Sequence, residues 1–143
     1  MLRLLQTCIM VTTLFSCAQA IVNERPQPPT QDRTLEQVEI KNILDGKQDL
    51  SVHCKSGDDD FGVHNLSYNA TYSLSFRRNF RGTTLIECGF SWDWGKQSHH
   101  TDIYTPEGPN CRAPNKCLWY IIPSGPCLSH SNSFEYRCFP WDK

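Results

Sequence analysis

The feature that most constrains this chain is an alternation with period two. In the stretch LSVHCKSGDDDFGVH, from Leu50 to His64, residues Leu50, Val52 and Cys54 fall on one side and Ser51, His53 and Lys55 on the other. The chain then breaks into an acidic, glycine-containing loop. Successive side chains of a strand point to opposite faces of its sheet, so this pattern is that of a half-buried antiparallel strand. It recurs at Tyr72, Leu74 and Phe76 against Ser73, Ser75 and Arg77. It is clearest at Ile86, Cys88, Phe90 and Trp92 against Glu87, Gly89 and Ser91. Cysteine sits on the apolar face in two of these runs, where its thiol is placed for a disulfide to another layer.

The spacing of Val38 and Ile40 predicts an edge strand, and Asp45-Gly46 supplies the hairpin turn into the Leu50 strand. Gly95, with Lys96 to Ser98, turns the chain back into a strand from Thr101 to Thr105. Pro106, Gly108, Pro109 and Pro114 forbid regular structure until the apolar run from Cys117 to Ile122. A last strand is expected from Phe134 to Phe139, stopped by Pro140. Seven to eight short strands, frequent turn signals and no helical period predict an all-β fold, a small antiparallel two-sheet β-sandwich.

The 143 residues suffice for one domain. Residues 1–20 carry one early cation, Arg3, an apolar stretch through Phe15, and then Ala18-Gln19-Ala20, the small-residue pattern of a signal peptide cleaved between Ala20 and Ile21. The apolar run is shorter than the roughly 20 residues a membrane-spanning helix needs. Residues 21–37 hold Pro26, Pro28 and Pro29 among polar residues and read as a flexible leader. The domain is then residues 38–143. Without the signal, thirteen Lys and Arg face fifteen Asp and Glu, a net charge of about −2 that excludes an electrostatic nucleic-acid binder. The six remaining cysteines, Cys54, Cys88, Cys111, Cys117, Cys127 and Cys138, read as three disulfides in an exported chain, and fifteen pairings are open. Their spacings lack the Cys-x-x-Cys knuckles of a zinc site.

Asn65-Leu66-Ser67 and Asn69-Ala70-Thr71 are glycosylation sequons, placed by the sequence in a polar turn before the Tyr72 strand. Asp58-Asp59-Asp60 lacks the alternating ligands of a calcium loop and reads as a solvated turn. His53 and His64 are the pair a ribonuclease would use as acid and base, but no phosphate-binding cation accompanies them. His99 and His100 are adjacent on a strand and so face opposite ways. No nucleophile elbow, zinc-protease helix or phosphate loop is present, and neither enzymatic activity nor a cofactor is expected.

Four pieces in series carry a family resemblance: the Leu50 to His64 stretch, FRRNFRGTTLIECGFSWDW from Phe76 to Trp94, HHTDIY from His99 to Tyr104, and CLWYI from Cys117 to Ile121. In this order and spacing the chain resembles the plant self-incompatibility protein family, the secreted S-proteins of poppy pistil and their homologues, from about Val38 onward. The resemblance implies a compact β-sandwich. It also implies a pairing of Cys127 with Cys138, since some family members lack both. Of the remaining four, Cys88 is expected with Cys111 and Cys54 with Cys117. The family's characterised role, a pistil-secreted ligand recognised by a membrane protein of incompatible pollen, implies a secreted signalling ligand for a cell-surface receptor or other cell-surface protein. A monomer is expected. The competing readings are a secreted defence protein or inhibitor, and a secreted ribonuclease.

Strands with one buried face leave binding to their loops. The hairpin tip with Asp93, Trp94 and Lys96 offers acidic, aromatic and basic groups together. Trp92 is in register with the core. Trp94 continues that register past the strand end, where it is either an exposed binding anchor or packed across the end of the sandwich.

Overall fold

The computed structural model describes residues 35–109, 111–112, 116–130 and 135–142. The expected signal peptide, its expected cleavage point at Ala20 and Ile21, and most of the expected leader lie outside them. The described strands are β1 (Leu35–Asn42), β2 (Leu50–Lys55), β3 (Asp60–Leu66), β4 (Thr71–Arg77), β5 (Ile86–Trp92), β6 (Gln97–Tyr104), β7 (Cys117–Ile122), β8 (Gly125–His130) and β9 (Tyr136–Cys138). They form a five-stranded sheet in the order β4-β1-β7-β8-β9 and a four-stranded sheet in the order β3-β2-β5-β6. Neighbours run antiparallel, except that β1 and β7 are parallel.

The alternating residues do what their period requires. Val38, Ile40, Leu74, Phe76, Trp119 and Ile121 of the five-stranded sheet and Leu50, Val52, Ile86, Phe90, Trp92 and Ile103 of the four-stranded sheet are all buried. Each such side chain contributes about 1.5–3 kcal/mol on leaving water. The Trp119 indole N–H, which would be costly to bury unpaired, donates to the Ile103 carbonyl at 3.0 Å and so links the sheets.

Several local expectations are corrected. The first strand starts at Leu35 rather than near Val38, and it is an interior strand with β4 on one side and β7 on the other. Asp45-Gly46 does not close a hairpin, because β1 and β2 belong to different sheets; a single 3-10 turn, Asp45–Lys47, carries the chain across the corner. Asn42 fixes that corner. Its buried amide donates to the carbonyls of Gln48 and Leu66, both at 2.8 Å, and its oxygen accepts the Leu44 N–H at 3.0 Å. β3 and β8 were not foreseen, β6 begins at Gln97, and the last strand is shorter than expected.

The disulfides are Cys54–Cys88, Cys111–Cys117 and Cys127–Cys138. The third matches the expectation drawn from the resemblance, whereas Cys88–Cys111 and Cys54–Cys117 are overturned. The reason is register: Cys54 lies directly opposite Cys88 on neighbouring strands, their Cα atoms 4.0 Å apart, so the bridge crosses strands within one sheet and does not join two layers. Cys127 and Cys138 are opposed in the same way between β8 and β9.

Candidate functional site

The β5–β6 hairpin ends with Trp92 opposite Gln97, leaving residues 93–96 as the tip. The Gly95 N–H donates to the Trp92 carbonyl and the Lys96 N–H to that of Asp93, both at 3.1 Å. To close this turn, Asp93, Trp94 and Gly95 adopt φ of 52°, 57° and 80°. Glycine takes the left-handed region freely, but for a bulky side chain it is a strained conformation held by its surroundings. Trp94 is 98% exposed, so it does not pack across the end of the sandwich. Trp92 is buried at 6% and lies against His99 and Trp141, with ring centroids 5.3 and 5.9 Å away. The C-terminal segment holds this inner end in place, since the Trp141 indole N–H donates to the Pro123 carbonyl at 2.9 Å.

Beside the tip lies a cleft of about 500 Å³, lined by Gln48 and Asp49 ahead of β2, by Ser51, Asn65 and Ser91 on the sheet, and by Trp92 to Gly95. Ser51 stands opposite both Asn65 and Ser91, so three strands contribute to one row beneath the tip. The tip residues were legible in the sequence. The cleft was not, because its lining comes together only through the strand order.

Asn65 is an exposed residue of β3 rather than of a turn, and Asn69 is exposed in the following turn with φ 68°. Both sequons therefore reach solvent. Treating protein from culture medium with peptide-N-glycosidase is expected to increase its gel mobility, and replacing both asparagines by glutamine to abolish the shift; an unchanged mass after digestion would show both sites empty.

The four histidines whose side chains are described, His53, His64, His99 and His100, do not converge. Val52 is opposite His64, which places that ring on the inner side, where it stacks on Tyr72 with centroids 3.9 Å apart. His53 points outward to Asp60, 2.7 Å away. The Asp60 carboxyl is held below the usual range, chiefly by the Gly62 N–H and then by His53. It therefore favours the fold above the ordinary carboxylate range and loses that contribution as pH falls through its lowered value. In the acidic loop, the Ser56 hydroxyl accepts the N–H groups of Asp58 and Asp59. The local side-chain bonding expected there comes from a serine as well as an aspartate. His99 stacks on Trp141 with centroids 4.7 Å apart, and His100 lies on the outer face near Glu87.

One cluster escaped the sequence reading because its centre fell within the expected leader. Glu36, fully buried, meets the Nε of Arg78 at 2.8 Å and that of Arg112 at 3.1 Å. Tyr104 is buried beside it, and desolvation followed by the Glu36 charge pushes the phenol up. The cluster joins the first strand to the segments bearing the two arginines, a structural role.

The sequence pattern of the plant self-incompatibility protein S1 family matches residues 37–141. S-protein homolog 2 of Arabidopsis thaliana is 40% identical over 120 residues, covering 80% of this chain and 71% of that protein. S-protein homolog 3 is 35% identical over 113 residues, covering 76% and 74%, and S-protein homolog 4 is 31% identical over 149 residues, covering 99% and 97%, both also from Arabidopsis thaliana. A solved structure of an SPH (Self-Incompatibility Protein Homologue) protein superposes with a TM-score of 0.59 at 21% identity, covering 77% of this chain and 96% of that one. It is described as one of a widespread family of small, highly stable, secreted proteins from plants.

Proposed function

The chain belongs to the plant self-incompatibility protein S1 family, and from that premise we propose that it is a secreted recognition protein, a non-enzymatic ligand for a partner at a cell surface. The observation that carries the reading is the fully exposed Trp94, held out on a strained turn between Asp93 and Lys96. Exposed tryptophans are costly in water and frequent at binding hot spots. Export is supported by the Ala18-Gln19-Ala20 pattern and by oxidation of all six cysteines of the domain.

The test is binding of purified protein to target cells. Asp93 is better replaced by asparagine than by alanine, since asparagine tolerates left-handed backbone and keeps the turn. Asp93→Asn and Lys96→Ala are expected to leave thermal unfolding unchanged and to weaken cell-surface binding by at least about fivefold each, the scale of a contact worth 1 kcal/mol. Undiminished binding by both variants would place recognition elsewhere on the molecule.

A further inference from the structure

We propose that the cleft beside the 93–96 tip is a carbohydrate site, taking a neutral oligosaccharide of the target cell surface with the Trp94 indole as its stacking platform. The proposal rests on reading this tip as the recognition surface and names the class of ligand it meets.

A pyranose presents two kinds of surface: a rim of hydroxyls, which are donors and acceptors at once, and faces of C–H bonds. The cleft answers both. Its lining holds two amides, Gln48 and Asn65, two carboxylates, Asp49 and Asp93, and two serine hydroxyls. Amides and carboxylates offer paired polar atoms to adjacent hydroxyls. A flat indole is the surface that a C–H face meets well, and Trp94 presents it at 98% exposure. The three consecutive left-handed residues set the direction in which the Trp94 side chain leaves the backbone, toward solvent at the mouth of the cleft.

The lining also discriminates. It contains two carboxylates and no lysine or arginine, the tip's Lys96 lying outside it, so a polyuronate would bring more like charge together than opposite.

The test uses the full secreted chain and follows the Trp94 indole N–H resonance, assigned by its disappearance in Trp94→Ala. Cellohexaose and chitohexaose are the neutral probes and hexagalacturonate the anionic one, each titrated into the wild type and into Ser67→Ala, which removes the Asn65 sequon and keeps the Asn65 amide. Saturable movement of the resonance by a neutral probe in either protein, with at least tenfold weaker binding of that probe by Trp94→Ala in isothermal titration calorimetry, is the expected result. A response only to hexagalacturonate, or to no probe, overturns the proposal. So does a resonance that moves on Ser67→Ala but not on adding sugar, since the occupant is then the glycan of this chain itself. Protein that binds cells but no sugar removes the carbohydrate assignment and leaves the recognition surface standing. Protein that binds sugar but not cells removes that surface, and with it the source named here.

Discussion

Cys54→Ser is expected to destabilise the fold by about 2–5 kcal/mol and to keep the protein out of the culture medium. Both sulfurs of the Cys54–Cys88 bridge are fully buried, and the bridge sits between the two central strands of the four-stranded sheet. It closes a sequence separation of 34, against 6 for Cys111–Cys117 and 11 for Cys127–Cys138. In the chain-entropy account, a loop of that length is worth roughly 4 kcal/mol and the shortest only about 2. The substitution also leaves the Cys88 thiol in the core without its partner. Denaturant titration of refolded protein reads the first effect and immunoblotting of medium the second. A midpoint equal to wild type would show the bridge to be dispensable, and two or more titratable thiols in native wild type would contradict the three-bridge framework.

Asn42→Ala is the second large effect, at about 3–5 kcal/mol. The amide serves two carbonyls and one N–H at the corner where the chain passes from one sheet to the other, and each buried group left without a partner costs about 1–3 kcal/mol. Gln48 is partly open to water, which keeps the total below the simple sum. Asn42→Asp separates donor from acceptor: it can still accept the Leu44 N–H but has nothing to give the carbonyls of Gln48 and Leu66, so it is expected to be nearly as destabilising. A loss below about 1 kcal/mol for both variants would mean that water replaces the amide.

What the sequence conveyed, and what it did not, follows from how local each signal is. Ile86, Cys88, Phe90 and Trp92 were legible as core because one strand's alternation needs no knowledge of its neighbours, and all four are buried. β3 was hidden because its alternation is broken: Leu66 is buried, but the inward position before it is His64, which counts as polar in any pattern and stacks on Tyr72, while the apolar Val63 faces outward. β8 was hidden behind Gly125-Pro126, which reads as a turn. Glycine is needed there because a Cβ would overlap the Phe139 carbonyl, a contact that depends on a segment remote in sequence. The pairing of Cys54 with Cys88 likewise depends on which strands are neighbours. At the site, the tip was legible from its turn residues, but alternation stops at the strand end and could not say where Trp94 points.

The parallel pairing of β1 with β7 also sets an order of events in time. Every strand of the four-stranded sheet lies between Leu50 and Tyr104, so that half and its Cys54–Cys88 bridge can form while the rest of the chain is still being synthesised. β1 can meet β4 early, but its other edge stays open until residues 117–121 emerge to lie beside Val38 to Asn42. At about 5–20 residues per second, translation imposes a wait of roughly one to four seconds between the end of β6 and the end of β7. During that interval Val38, Ile40, Leu74 and Phe76 form an apolar face with half its sheet missing. The emerging chain is then most open to aggregation and most dependent on chaperones of its export route.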